Sequence, residues 1–401
     1  MPFRIVALVA ALIGSALTPG SGTAAPAGSQ VLVSSTLNGT LHVIDASALT
    51  ETQPPLPVKG TSPVRLWVER FGSRTLLLSA NHGIQGSLGV YDLDGPLVTE
   101  LPLSPFPSGG PGSVGIAAGT FGAGGTPMIF LTDTVQALGG CGLPQGTVSA
   151  FDASLLATAG VATRFATVST QGTIPYAVAF DGERGDVLVS NTCDDTLVQF
   201  TVAASGGPLP GYGMTPTGVA TTGAGPDAVL YDAGASRTYV TNIGGDSVSV
   251  FARGLGPVAA TAQTTVPLSG AGPIDATLAD STSGARWMIT SNGEDDTVSV
   301  IDRTAIGACI AAGMAVCPAE AARIFAGVDG GAPEGVAYDP ATNRVFVVNK
   351  TIGSPALSVI QLSESGGTVS GSHIATIPLR VLGEAAPVPD LIAFDVVVRT
   401  R

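Results

Sequence analysis

The sequence predicts an all-β, seven-bladed β-propeller whose ring is closed by the two ends of the mature chain. Three observations support this prediction: a strand–turn–strand phrase that returns roughly every fifty residues, abundant glycine and proline, and half a repeat at each end. A period in this range is typical of propellers and repeat arrays. The 54 glycines and 29 prolines interrupt the chain so often that little room remains for long helices.

Each repeat has two halves. The first half is a turn ending in proline, followed by an apolar strand and a terminal acid, as in GAGPDAVLYD from Gly223 to Asp232. The second half is a strand, a tight loop and another strand, as in RTYVTNIGGDSVSVF from Arg237 to Phe251. Similar units begin at Gly172, Gly270 and Gly330, and looser copies begin at Pro63 and Pro111.

The two ends of the chain supply the seventh unit. VLVSS (31–35) and LHVID (41–45) form only a second half, whereas VPDLIAFD (388–395) forms only a first half and should end at Asp395. Two half units at opposite ends can pair as one blade and lock the circle. A closed ring of four-stranded blades leaves only short, protected strand edges, which explains how one domain accommodates so many strands.

The phrase YVTN, from Tyr239 to Asn242, is the hallmark of a known family. The sequence resembles the YVTN-type β-propeller repeat proteins across nearly all of the mature chain. This resemblance implies a propeller in an exported or cell-surface bacterial protein, within a superfamily that also contains lactone hydrolases. Repeats in that family are usually shorter than those of this chain, so this chain is expected to carry extra residues in outer loops at 137–145 and 306–320. A fold-level likeness of this kind does not define a chemistry.

The N-terminus predicts export. Arg4 precedes the apolar run from Ile5 to Leu17, and the small residues of TAAPA (23–27) provide a cleavage site, which together form a signal peptide. We therefore expect a signal peptide at 1–27 and a single propeller domain at 28–401, without a membrane span after cleavage. The net charge of −13, with only two lysines, excludes a nucleic-acid partner, because a phosphate backbone requires a basic surface.

The four cysteines of an exported chain indicate two disulfides, for which three pairings exist. Cys309 and Cys317 bracket one short segment and are expected to close it. Cys141 then pairs with Cys193, and the two lie in equivalent loops of neighbouring repeats. Their spacing does not suit a structural zinc site.

The inner strands supply the candidate binding residues. Counting back five positions from the acid that ends each inner strand gives a carboxylate in four consecutive blades and Tyr176 or Val64 in two others. Inner strands converge on the propeller axis, so these carboxylates should lie together, raise one another's pKa and recruit a divalent cation such as Ca²⁺. The alternative is that each side chain caps its own turn. The four carboxylates are Asp227, Asp275, Glu334 and Asp390.

Other polar groups should lie on the same face. His82 follows Asn81 and is the candidate general base among three histidines. The recurring asparagines, which end the second strand of a unit, are expected to bond to turn backbone rather than to a ligand. An acidic rim is expected to consist mainly of solvated turn residues. The rim comprises Asp194, Asp195, Asp246, Glu294, Asp295 and Asp296.

The sequence contains no local catalytic motif, which favours a binding or scaffold module over an enzyme. A monomeric protein of the periplasm or extracellular space, with a protein, small-molecule or carbohydrate ligand on the acidic channel mouth, is the leading interpretation. The alternative is a lactonase-type hydrolase that uses a divalent cation. A third interpretation, a partner for a redox protein, rests only on compartment and surface charge.

Overall fold

A computed structural model describes residues 28–36, 39–59, 62–83, 85–95, 97–134, 141, 145–205, 211–253, 262–350, 355–379 and 393–399. These residues form seven antiparallel sheets arranged as the blades of a β-propeller, which confirms the predicted fold class. In each blade, the innermost strand leads outward to its hydrogen-bonded neighbours. Two blades carry an additional short outer strand.

The strands follow the two-part repeat. The first blade contains β1 (Gln30–Ser35), β2 (Thr40–Asp45), β3 (Thr50–Glu51) and β4 (Leu56–Pro57), and the second contains β5 (Pro63–Phe71), β6 (Arg74–Asn81), β7 (Ser87–Asp92), β8 (Thr99–Glu100) and β9 (Phe106–Pro107). The third contains β10 (Ser113–Phe121), β11 (Thr126–Asp133), β12 (Thr147–Asp152) and β13 (Thr163–Ser169), and the fourth contains β14 (Pro175–Asp181), β15 (Asp186–Asn191), β16 (Thr196–Ser205) and β17 (Gly211–Thr221). The fifth contains β18 (Pro226–Asp232), β19 (Arg237–Asn242), β20 (Ser247–Ala252) and β21 (Thr264–Pro267), and the sixth contains β22 (Pro273–Asp280), β23 (Arg286–Asn292), β24 (Thr297–Asp302) and β25 (Glu320–Phe325). The seventh contains β26 (Pro333–Asp339), β27 (Arg344–Asn349), β28 (Ala356–Ser365) and β29 (Thr368–Pro378), and the chain returns to the first blade as β30 (Ala393–Arg399).

The ring closes through an antiparallel pair formed by β1 and β30, as predicted, with Val33 opposite Val396 and Val31 opposite Val398. The prediction that this closing strand ends at Asp395 is wrong. Asp395 is the third residue of β30, because the apolar run that follows it continues the pairing as far as Arg399. The register therefore places Asp395 near the beginning of the inner strand instead of at its end.

Apolar side chains between the blades hold the ring together. The described residues contain seven buried apolar clusters, and each cluster joins two neighbouring blades. Val31 and Val33 of β1, for example, pack with Phe346 and Val348 of β27. Because both faces of a blade are covered in this way, its central strands are apolar on both sides rather than alternating.

The recurring asparagine explains the recurring glycine. Asn242 is fully buried, and its Nδ2 donates to the hydroxyls of Ser247 and Ser249, each at 3.1 Å. A Cβ at Gly223 would lie 2.7 Å from this amide, so only glycine allows the turn to approach it. Equivalent close approaches join Gly172 to Asn191, Gly270 to Asn292 and Gly331 to Asn349. These contacts support the predicted structural role of the asparagines.

We expect Gly223→Ala to lower the free energy of unfolding by about 1–3 kcal/mol, because the added methyl overfills a packed turn. The matched control is Gly213→Ala in β17, where a Cβ would meet nothing within 4 Å. Urea unfolding followed by circular dichroism compares the two variants with the parent protein. Equal stability of the two variants would show that the approach of glycine to asparagine carries no steric constraint.

Two disulfides secure the outer loops. Cys141 pairs with Cys193 at 2.04 Å and joins the third and fourth blades, and Cys309 pairs with Cys317 at 2.09 Å. The second bond lies in the 306–320 insertion, which includes the end of a helix rather than only loop. The helices are α1 (Leu156–Ala159) and α2 (Arg303–Ala311), with a 3-10 turn at Ile243–Gly245. No helix in the described ranges is long and apolar enough to cross a membrane.

Candidate functional site

Six side chains meet where the inner strands converge on the axis, and we call this cluster the hub. It has two layers, set by the distance of each residue from the proline that begins its strand. Tyr176, Asp227 and Glu334 directly follow such a proline. Arg65 and Asp275 stand one position further along, at the level of Asp395. The backbone N–H groups of Asp275 and Asp395 confirm this shared level, since each donates to a serine hydroxyl of the next strand.

Arg65 occupies the centre of the hub. Its Nη1 lies 2.9 Å from Asp275 and 3.6 Å from Asp395, and its Nη2 lies 3.7 Å from Asp227. The guanidinium also sits 5.7 Å from the centre of the Tyr176 ring. Only 8% of the arginine side chain is exposed. An internal cation therefore stands where a bound divalent cation was expected.

The remaining hub contacts fix the carboxylates to the ring. Asp395 accepts a hydrogen bond from the Leu66 N–H at 2.6 Å, and Asp275 accepts one from the Val336 N–H at 3.0 Å. Each bond joins two neighbouring blades. Glu334 pairs with Lys350 at 3.4 Å, and this lysine is the most exposed member of the network at 36%.

Burial is the largest cause of the pKa shifts in the hub. It raises the pKa of Asp227 and of Glu334 above the usual carboxyl range, although Arg65 and Lys350 respectively oppose the shift. Burial likewise raises the pKa of Asp395 to about 7, against the attraction of Arg65. The pKa of Tyr176 is raised by burial and by the neighbouring carboxylates. The hub thus retains protons at pH values where exposed carboxyls have lost them.

These shifts predict that the hub weakens the fold as pH rises. A carboxyl whose pKa is higher in the folded state favours folding fully below its unfolded value of 3.8, and this contribution disappears as pH passes the folded value of about 7. The hub contribution to the free energy of unfolding should therefore fall between pH 5 and pH 8, and Asp395→Asn should make that fall shallower. Glu294→Gln, which removes an exposed rim charge, is the control. Urea unfolding across this pH range tests the prediction, and equal slopes for parent and Asp395→Asn would contradict it.

The predicted site residues separate into two groups. Asp227, Asp275, Glu334 and Tyr176 lie in the hub, whereas Asp390 lies outside the described residues. Asp395 provides the carboxylate of the closing blade. The repeat count did not identify Asp395 as a hub residue. It treated Asp395 as the end of the closing strand, whereas that strand continues to Arg399.

His82 lies between blades rather than in the hub. A Cβ at Gly112 of the third blade would come within 2.2 Å of its Nδ1, so the ring packs against that glycine. Burial lowers the pKa of His82. Its backbone N–H donates to the Ser62 carbonyl at 2.8 Å, which fixes the turn that carries it.

Arg65 is the central hub residue that the repeat count missed, since that count selected Val64 beside it. A visible signal was available. In the described residues, the first three positions of the seven inner strands hold one basic side chain, and it is Arg65. A single arginine facing several carboxylates on one axis indicates an internal ion-pair network.

The acidic rim holds turns in place. Asp195 accepts from the Gly225 N–H at 2.7 Å and Asp246 accepts from the Gly272 N–H at 2.8 Å, in each case across to the next blade. Asp296 does the same for the Gly330 N–H at 2.6 Å. Across the described ranges, no group of three or more His, Cys, Asp or Glu residues is arranged to hold a metal ion.

A central channel of about 410 Å³ extends from the hub along the axis. Arg65, Asp275 and Asp395 form its floor, and apolar residues of the inner strands form most of its wall. The floor side chains are largely buried, whereas Phe180, Tyr231 and other wall residues at the opposite end are half-buried. The channel therefore opens on the face away from the hub. Its wall includes Val178, Ala228, Val229, Ala276, Leu278, Val336, Val396 and Val397.

Solved structures share this architecture. The chain is similar to a periplasmic gluconolactonase, PpgL, of Pseudomonas aeruginosa, with 17% identity, a TM-score of 0.63 and coverage of 92% of this chain and 99% of that one. It is also similar to a protein from Lactobacillus plantarum, with 16% identity, a TM-score of 0.63 and coverage of 93% and 99%. A functionally unknown protein from Desulfotomaculum acetoxidans has 12% identity, a TM-score of 0.59 and coverage of 91% and 99%.

At these identities the structural similarity establishes the fold alone. No family model matches the chain, and neither does any curated protein. The propeller implied by the resemblance to YVTN-type repeats is confirmed, while membership of that family stays a prediction.

Proposed function

We propose that this chain is a non-catalytic binding protein and that its ligand occupies the central channel. The supporting observation is a cavity of about 410 Å³ on the axis, with a mostly apolar wall, one open end and a few convergent polar groups at the floor. Ligand sites commonly have this size and this balance of apolar wall and polar anchor. The acidic face was the predicted docking surface, but its carboxylates bond to Arg65 and to turn backbone.

We also propose that the protein is exported, with residues 1–27 removed as a signal peptide and 28–401 remaining as one domain. Two disulfides support this proposal, because such bonds persist in oxidising compartments. The similar protein from Pseudomonas aeruginosa is described as periplasmic.

The binding proposal is tested with n-octanol, a small apolar probe with a neutral head. Binding to the folded state alone should raise the Tm with probe concentration. Leu278→Trp should abolish the rise, because Leu278 lines the channel. Leu155→Trp is the matched control, since Leu155 is 55% exposed and outside the channel. The absence of saturable octanol binding, or an equal response of the two variants, would count against a channel ligand.

A lactonase-type hydrolase is the alternative, and the name of the Pseudomonas protein makes gluconolactone the substrate to test. This alternative places a cation at Asp227, Asp275, Glu334 and Asp390. Arg65 supplies the positive charge beside Asp227 and Asp275, and Lys350 supplies it beside Glu334. Its candidate base is His82, whose ring packs against Gly112 between the blades. Gluconolactone hydrolysis that depends on added Ca²⁺ and is lost in Asp275→Asn would favour the hydrolase.

A further inference from the structure

We infer that the channel ligand is a cationic amphiphile, whose protonated amine lies on the floor between Asp275 and Asp395 and whose apolar body fills the channel. This inference rests on the proposed function, and it adds the chemical class of the ligand. The juxtaposition that carries it is a floor with one guanidinium among three carboxyl groups at the closed end of an apolar tube.

The hydrogen bonds of the channel floor are incomplete. One guanidinium faces three carboxylates, but only the 2.9 Å contact with Asp275 is within hydrogen-bond distance. Arg65 Nη2 and Asp227 Oδ1 face each other at 3.7 Å, and neither atom has a hydrogen-bond partner among the described residues. Both side chains are more than nine-tenths buried, with exposures of 8% and 7%. Buried polar atoms without partners are costly and point to a missing group.

A bound ammonium would complete this network. Asp275 and Asp395 line the channel and can accept hydrogen bonds from the ammonium, whereas Asp227 lies behind the floor. Once an ammonium shares Asp275, the guanidinium is free to shift toward Asp227 and close the 3.7 Å gap. An added carboxylate would instead face four hub carboxyls, and a neutral hydroxyl would bring no positive charge to Asp275 and Asp395.

The wall of the channel is mostly apolar. Four consecutive residues of five inner strands, such as Ala177 to Phe180, line the channel, and at about 3.3 Å per residue they span about 13 Å. This wall contributes methyl and methylene groups and few hydroxyls, so it provides little to recognise the many polar groups of a carbohydrate. It suits an aliphatic or aromatic body of moderate length.

The experiment uses three probes that differ only in the head group: n-octylamine, n-octanol and octanoate. Isothermal titration calorimetry on the mature protein should show octylamine binding at least tenfold more tightly than octanol, and octanoate more weakly than either. Asp395→Asn should remove most of the preference for the amine, while Glu294→Gln, an exposed rim control, should retain it. Circular dichroism and the Tm verify that each variant is folded.

The pH dependence provides a second readout. The charged and titratable groups facing the floor are Arg65, Asp227, Asp275, Glu334 and Asp395, with Tyr176 and Lys350 behind them. The amine remains protonated from pH 5 to pH 8, since alkylammonium groups titrate near 10.4 as lysine does. Asp395, with a pKa of about 7, becomes ionised over that range, so octylamine affinity should rise severalfold. Octanol affinity should change little.

The outcomes separate this inference from the proposed function. Equal binding of all three probes would overturn the cationic ligand and leave the apolar channel intact as a binding site. Tighter binding of octanoate would also overturn it. If neither octylamine nor octanol binds, the proposed channel function fails as well.

Discussion

Replacing Arg65 by glutamine is expected to lower the free energy of unfolding by about 3–5 kcal/mol, which is the usual effect of removing one partner from a buried ion pair. The reason is specific to the hub. Arg65 is the central positive charge among Asp227, Asp275 and Asp395, and its loss leaves these buried carboxyls without compensation. Lysine cannot replace it, because a single ammonium cannot approach the three carboxylates from separate nitrogens as a guanidinium does.

Arg323→Gln is the matched control. Arg323 contacts Asp295 at 2.7 Å, but its side chain is 41% exposed, so its loss should change stability by about 1 kcal/mol or less. Urea unfolding at pH 7.5 and at pH 5 measures both variants. The effect of Arg65→Gln should be larger at pH 7.5, because hub carboxyls that are protonated at pH 5 no longer require a counter-charge. An Arg65 variant as stable as the Arg323 variant would show that the hub is not held by its arginine.

The repeat made the architecture predictable. Each blade repeats the proline turn and the buried asparagine, and their spacing is preserved by pairing in the sheet, such as Pro226 opposite Asn242. Ring closure was also predictable, because a half repeat at either end has one plausible partner. The end of the closing strand was not, since Asp395 resembles the terminal acid of the other blades in sequence.

The site was less predictable for a physical reason. The positions of Asp227 and Glu334 follow from the repeat, but charge compensation depends on which side chain points across the axis from a different blade. Arg65 lies far from its partners in sequence, and 330 residues separate it from Asp395. A repeat pattern reports what the blades share, whereas Arg65 is a departure from that pattern. The opening of the channel away from the hub likewise depends on packing between blades.

Deleting residues 393–401 is expected to abolish the native fold. The deletion removes all of β30, which pairs with β1 from Gln30↔Arg399 to Ser35↔Ala393 and contributes Val396 to the core between the first and seventh blades. It also removes Asp395 from the hub and leaves the edge of β1 unpaired, and an exposed strand edge promotes aggregation. Near-ultraviolet circular dichroism and size-exclusion chromatography should show loss of packed structure. The control deletion removes residues 400–401 alone, which keeps every residue of the β1–β30 register, and should leave the Tm close to that of the parent.

A peptide supplied in trans distinguishes ring closure from a general effect of truncation. If the closing strand acts through pairing and through the hub, a peptide with the sequence AFDVVVR should add to the edge of β1 and restore cooperative unfolding to the shortened protein. The same peptide with Asp395→Asn retains every backbone hydrogen bond to β1 but cannot place a carboxylate beside Arg65. Its rescue should therefore be weaker at pH 8, where the parent carboxylate is ionised, and should approach that of the parent peptide at pH 5. Native unfolding of the truncated protein without any peptide would show that six complete blades hold the ring without its closing strand.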